Sequence, residues 1–215
     1  MKKIHIPLTD SDKQDSPISS IVELMDLFPR HKLDNEPWLD YKSNCQTSFS
    51  IAHSGKAILL KYFVKEDIIK VAMHKTNDRV HKDNCVEFFI SFPSGKEYYN
   101  LEINCMGVCS MAYGHNRKDR KILPEDLISK IKTAILISSA SLSSATKFKW
   151  QITLVIPIEV FSYTNLTTLV GKTASGNFYK CGDDLPEPHY LTWSMIYSKS
   201  PDFHLPDFFG QLEFD

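Results

Sequence analysis

The chain has 215 residues, 42% hydrophobic and 24% charged, with a net charge of −1 and a pI near 6.7. Those values fit one large folded domain and exclude disordered, collagen-like and coiled-coil chains. A near-neutral chain without a run of five like charges supplies no general field for nucleic acid or an anionic membrane. The composition leans aromatic, with thirteen Phe, nine Tyr and three Trp against eight Gly, which favours a β-rich core or a stacking surface.

The opening MKKIHIPLTDSDKQD lacks the apolar middle of a signal peptide, and no apolar stretch approaches a bilayer span. Cysteines at 45, 85, 105, 109 and 181 are odd in number and form no CxxC pair. Both features predict a cytoplasmic protein with reduced, mostly buried thiols. From Ser16 to Phe28, Ile18, Ile21, Val22, Met25 and Phe28 recur at steps of three and four, the period of a short amphipathic helix. Residues 1–37 therefore read as an N-terminal extension with a helix packed on a domain that spans 38–215.

From Phe49 onward the pattern alternates. Ile58, Leu60, Tyr62 and Val64, then Ile69, Val71 and Met73, read as strands. In CVEFFISF, Val86, Phe88, Ile90 and Phe92 point one way and Cys85, Glu87, Phe89 and Ser91 the other. In YYNLEINC, Tyr99, Leu101, Ile103 and Cys105 share one face and Tyr98, Asn100, Glu102 and Asn104 the other. The turn Pro93, Ser94, Gly95, Lys96 has hairpin chemistry and pairs these strands antiparallel. VCSMAYG reads as a third strand, and Pro124 with Glu125 and Asp126 starts a helix of one to two turns. TAILISSASL and FKWQITLVIPIEVF return to alternation across the polar turn SLSSATK, and the chain closes on a polar tail, FGQLEFD. Short strands without a βαβ rhythm predict an all-β fold, an antiparallel β-sandwich with one or two short helices.

Enzyme signatures are absent: no GxSxG, phosphate-binding loop, HExxH or dinucleotide fingerprint occurs. The single strand-borne carboxylate pair, Glu87 and Glu102, is the basis of the rival reading, a glycoside hydrolase accessory enzyme. Cys181, Asp183, His189 and His204 lie close in sequence, but their spacing fits no zinc pattern. Asp83, Asn84, Asp183 and Asp184 are hard oxygen donors without a contiguous calcium loop, so they read as turn residues. Trp150 alternates with Phe148, Ile152, Leu154 and Ile156 and belongs to the core. Trp38 is expected to plug one end of the sandwich. Trp193, in the short strand YLTWSMI after CGDDLPEPH, suits a core position and a ligand platform equally.

The ordered segments FSIAHSGKAILLKYFVKED, VHKDNCVEFFISF, YYNLEINCMGVC, GNFYKCGDDLPEPHYLTW and PDFHLPDFFGQLEF resemble the successive signatures of family 9 carbohydrate-binding modules, from about Trp38 to Asp215. The resemblance implies a jelly-roll β-sandwich, found beside xylan-degrading catalytic modules and also as free-standing bacterial proteins. It further implies non-catalytic binding of xylan- or glucan-type chain ends between two aromatic rings. Carried over residue by residue, Trp193 matches the late W motif and Glu87 the DxxVEFF strand. Asn104 with Glu102 matches the ExN motif, and Asn177 and Tyr179 stand in NFY. Arg117 and His204 complete the expected carbohydrate-binding set. No motif marks the second ring, for which Tyr62, Tyr98, Tyr113 and Tyr179 are candidates. No cofactor is expected, although some members carry structural calcium, and the expected partners are oligosaccharide or polysaccharide ends. The family's exported habit makes an extracellular location the alternative. A sandwich repurposed for protein interaction is the remaining reading.

Overall fold

Alternation over long stretches leaves each strand with two unlike faces, and burying one face of each sheet against the other gives the sandwich seen in the computed structural model. It describes residues 2–9, 17–72, 74–92, 96–142 and 145–215. The larger sheet contains β1 (Lys3–Ile6), β5 (Cys85–Ser91), β6 (Tyr98–Asn104), β7 (Cys109–Gly114), β8 (Arg120–Ile122), β11 (Thr173–Cys181), β12 (Tyr190–Thr192) and β13 (Gly210–Phe214). The smaller contains β2 (His31–Lys32), β3 (Gln46–His53), β4 (Ala57–Glu66), β9 (Lys132–Leu142) and β10 (Ala145–Pro157). Their orders are β1-β13-β11-β5-β6-β7-β8, with β12 also on β11, and β2-β3-β4-β10-β9. Every named strand pair is antiparallel except β1 with β13.

The inner faces match the alternation: Val86, Phe88 and Ile90 of β5 and Tyr99, Leu101 and Ile103 of β6 meet Leu60, Tyr62, Trp150 and Ile152 from the smaller sheet. The Phe178 ring lies between Phe49 at 3.7 Å and Phe88 at 4.8 Å, stacked on both. Each such side chain contributes about 1.5–3 kcal/mol by leaving water. Helix α1 (Ile18–Met25) lays Ile21 and Met25 on Ala52, Ala57, Leu59 and Val155, the outer face of the smaller sheet. Fully buried Lys61 ties it down, donating to the Val22 carbonyl at 3.0 Å and to Asp26 at 2.7 Å. Helix α2 (Glu125–Ile128) follows Pro124 as expected.

Several segments depart from the alternation. Residues 3–6 form β1, with Ile4 and Ile6 in the main core, and FGQLEFD forms β13 between β1 and β11. Ile69 to Ala72 makes no strand: the Lys70 and Ala72 amides donate to the side chains of Asn84 and Asp83, which replace a ladder partner. The Ile158–Val160 part of IPIEVF is a single 3-10 turn. Met73, Ser143, Ser144 and the Pro93, Ser94 and Gly95 of the expected hairpin turn lie outside the described residues.

Candidate functional site

The outer face of the larger sheet carries Cys85, Glu87 and Phe89 from β5, Tyr98, Asn100, Glu102 and Asn104 from β6, and Tyr179 and Cys181 from β11. Register sets Glu87 directly opposite Glu102 on one side and Tyr179 on the other. This face is roofed by the Trp38–Tyr41 turn and the chain after β12, whose Ile196, Phe203 and Phe209 pack on Phe89, Tyr98 and Tyr179 as a second apolar cluster. Asn35 fixes where that chain starts, its Nδ2 donating to the carbonyls of Thr192 at 3.1 Å and Trp193 at 2.7 Å.

The roof leaves a cleft of about 280 Å³. Glu87, Glu102 and Cys181 rise from the sheet, and His81, Arg117, Arg120, Asp183, Tyr41, Tyr190 and the Pro201–His204 segment complete the lining. Glu102 is the hub. Its Oε1 accepts from Asn100 Nδ2 at 2.9 Å and lies 3.7 Å from Arg120, while Oε2 accepts from His81 Nδ1 at 3.2 Å. That bond raises the His81 imidazole above its ordinary range despite partial burial. Glu87 differs: burial, reinforced by the charge of Glu102, pushes its carboxyl well up. Cys181 donates to its Oε1 at 3.1 Å. Asp183, raised by burial, is hydrogen-bonded to Tyr190. His204 is pushed down to about 3 by burial and then by Arg120 and Arg117, and its Nδ1 is hydrogen-bonded to the Tyr98 hydroxyl at 2.9 Å.

Of the residues expected from the sequence, Glu87, Glu102, Arg117 and His204 converge on this cleft. The others do not. Trp193 is a correction: it is 3% exposed, edge-on to Phe178 and Phe49, and its ring lies so close over Gly210 that a Cβ there would sit 2.3 Å from Cζ3. A ring enclosed in this way has no face for a ligand. Tyr179 is buried beneath the cleft, stacked at 4.2 Å on Phe203 and donating to its carbonyl at 3.2 Å. Asn104 shapes the β6–β7 turn, accepting from the Met106 and Val108 amides and donating to Asp83. Asn177 binds the amide and carbonyl of Ser194, fastening the chain after β12.

Of the second-ring candidates, Tyr62 and Tyr98 are fully buried like Tyr179, and Tyr113 stacks on Tyr163 at 4.9 Å. The half-buried rings that do line the cleft are Tyr41 and Tyr190, 5.1 Å apart and nearly perpendicular. Tyr190 is marked by its place beside the DDLPEPH loop. Tyr41 carries no local signal, because only the fold of the Leu39–Tyr41 turn brings it to β12. Trp38 packs under the roof, donating to the Ser198 carbonyl at 3.2 Å, and Trp150 is in the core as expected.

A larger groove of about 750 Å³ runs beside β3, β4 and β10. Its Phe63 face is already covered by the Arg30 guanidinium, 3.7 Å from the ring centre, and Trp150 is fully buried behind it. It offers no free ring, so the smaller cleft is the better candidate.

The calcium that the family resemblance implies does not fit its candidate donors. Asp83 accepts from Ala72 and Asn104 and lies 3.0 Å from His74, Asn84 accepts from Lys70, and Asp184 pairs with Lys82 at 3.0 Å. These oxygens are committed to protein donors.

The model of carbohydrate-binding family 9 matches residues 21–214. A proposed carbohydrate-binding protein from Bacteroides uniformis is 35% identical, with a TM-score of 0.90 over 100% of this chain and 99% of its own. A family 9 module from Caldicellulosiruptor kristjanssonii in complex with glucose superposes with a TM-score of 0.56 at 11% identity, covering 100% of this chain and 96% of its own. With cellotriose bound, the corresponding values are 0.55 and 10%, covering 99% and 93%. At that identity the likeness shows the fold alone. No curated protein matches the chain.

Proposed function

Because this chain belongs to carbohydrate-binding family 9, we propose that it holds a chain end or short unit of a neutral xylan- or glucan-type glycan in the cleft over β5, β6 and β11, without cleaving it. The observation that carries this reading is the gathering of Glu87, Glu102, Arg117 and Arg120 with the half-buried rings of Tyr41 and Tyr190 around one opening of about 280 Å³. That is close to the lower limit of small-molecule sites, about 300 Å³, and suits one or two sugar rings. Tyrosine rings pack on the C–H faces of a pyranose, while the charged groups make the stronger hydrogen bonds to its hydroxyls. A protonated Glu87 donates where Glu102 accepts, so the two carboxyls read different oxygens of one sugar.

The hydrolase reading fits less well. Two catalytic carboxyls must flank a glycosidic bond from opposite sides. Glu87 and Glu102 instead rise side by side from neighbouring strands, one holding a thiol hydrogen bond and the other bound to Asn100 and His81.

Calorimetric titration with cello- and xylo-oligosaccharides tests the proposal, alongside the folded variant Glu102→Gln. Binding by the native chain that weakens at least tenfold in the variant supports it. Absence of heat with any neutral glycan at millimolar concentration, or release of reducing sugar on incubation, refutes it.

A further inference from the structure

Beneath the proposed sugar cleft lies a cluster whose chemistry is different. Cys85 and Cys181 are directly opposed across the β5–β11 ladder, and Glu87, two residues along β5 from Cys85, shares their face. The two Sγ atoms and a Glu87 carboxyl oxygen lie within 4.8 Å of one another, with Cys181 Sγ 3.1 Å from Glu87 Oε1. In a tetrahedral site with metal–sulfur bonds of about 2.3 Å and metal–oxygen bonds of about 2.1 Å, donors stand about 3.5–3.8 Å apart. The observed spacing needs only small side-chain rotations to reach that. Cys181 and Glu87 also line the cleft, which gives an ion a path in and leaves a fourth position facing solvent.

We propose that Cys85, Cys181 and Glu87 form a binding site for a thiophilic divalent cation of the zinc type, with a water from the cleft as the fourth ligand. Two soft sulfurs and one carboxylate select zinc or cadmium over calcium or magnesium. The metal takes the two thiols as thiolates and Glu87 as a carboxylate. Each ligand proton leaves as its metal–sulfur or metal–oxygen bond forms, giving a net charge of −1 beside the Arg120 guanidinium, whose charge reaches Glu87.

A second cluster in the molecule shows why the first is available. Cys45, Glu66 and His189 bring donor atoms equally close, but the Lys180 ammonium already stands among them, 3.1 Å from Glu66 Oε2 and 3.0 Å from His189 Nε2. That place is taken by the protein's own cation. Among the described residues, Cys85, Cys181 and Glu87 make no ion pair.

The site shares Glu87 and the cleft with the proposed sugar site, and a metal-bound Glu87 carboxylate cannot donate to a sugar, so it is tested without glycan on the whole reduced chain with cobalt(II) as a zinc stand-in. The proposal expects one cobalt per chain, an intense near-ultraviolet thiolate-to-metal band and tetrahedral visible bands, displaced by zinc. Both band sets are lost in Cys85→Ala with Cys181→Ala and kept in Cys105→Ala with Cys109→Ala. Glu87→Gln weakens binding about tenfold or more. Should the double variant not fold, anomalous diffraction from zinc-soaked native crystals decides, with a peak expected between Sγ of Cys85 and Sγ of Cys181. No thiolate band at millimolar cobalt in the reduced native chain, or a peak only at Cys45 and His189, overturns the proposal.

Discussion

Glu87 and Glu102 stand directly opposite each other on β5 and β6, yet one accepts from a thiol and is pushed well up by burial while the other is bound by an imidazole, an amide and a guanidinium. Two like groups so close cannot both ionise cheaply, and the surroundings decide which one gives way. The cleft thereby holds two carboxyls side by side in unlike settings.

The His81–Glu102 bond predicts a titration. With Glu102 in place, His81 titrates above 6.5, so the pair adds stability that is full below 6.5 and fades as pH rises through the raised value. In Glu102→Gln the His81 midpoint falls back towards 6.5, read from its imidazole NMR signals against pH. An unchanged midpoint contradicts the assigned bond.

Acid sensitivity has the opposite sign. His189 and His204 are pushed down to about 4 and about 3, in both cases chiefly by burial, so the stability they contribute is present above 6.5 and lost as pH falls towards those values. Raised Glu87 works against this trend, because its proton favours the folded state at low pH. Comparing His204→Gln with the native chain isolates one histidine. The variant is expected to lose less stability between pH 6.5 and 4, by at most about 1.4 kcal/mol per pH unit, in denaturant melts at each pH. Parallel curves contradict it.

Aromatic residues separate into two classes of outcome. Tyr190→Ala and Tyr41→Ala weaken glycan binding about three- to tenfold each, as expected for loss of a ring contact of about 0.5–1.5 kcal/mol, with the fold kept. Trp193→Ala destabilises by about 3–5 kcal/mol, and Gly210→Ala by about 1–3 kcal/mol through its collision with the Trp193 ring. Thermal melts combined with calorimetry distinguish the classes: a folded Trp193→Ala chain that has lost only binding contradicts the burial account.

Lys180 is fully buried on the inner face of β11 and pairs with Glu66 at 3.1 Å, while Glu66 also accepts from the Trp150 indole. Lys180→Met leaves a buried carboxylate without its cation and is expected to cost about 3–5 kcal/mol in urea unfolding. A change below about 1 kcal/mol would mean that the ion pair contributes little.

The sequence makes the sandwich readable because period-two alternation is local: Val86, Phe88 and Ile90 are separated from Cys85, Glu87 and Phe89 by covalent geometry alone. The same rule misleads at Ile69 and Val71, where side chains of Asp83 and Asn84 take the backbone amides that a strand would have used. Parallel pairing of β1 with β13 joins the two ends of the chain and leaves no trace in either segment. The polar half of the cleft was visible as Glu87, Glu102, Arg117 and His204, whereas Trp193 was ambiguous because a three-residue strand shows too little alternation. Leu191, two residues before Trp193 and equally buried, is the local clue that places the ring inside. Tyr41 arrives from across the fold, and only tertiary structure can reveal it.

The most direct test is a crystal structure of the native chain soaked with cellotriose or xylotriose. The account predicts a sugar ring seated in the cleft over Glu87 and Glu102, against Tyr190 or Tyr41, with its hydroxyls bonded to both carboxyls. A sugar bound instead in the groove beside Phe63 and Lys149, with this cleft empty, would contradict it.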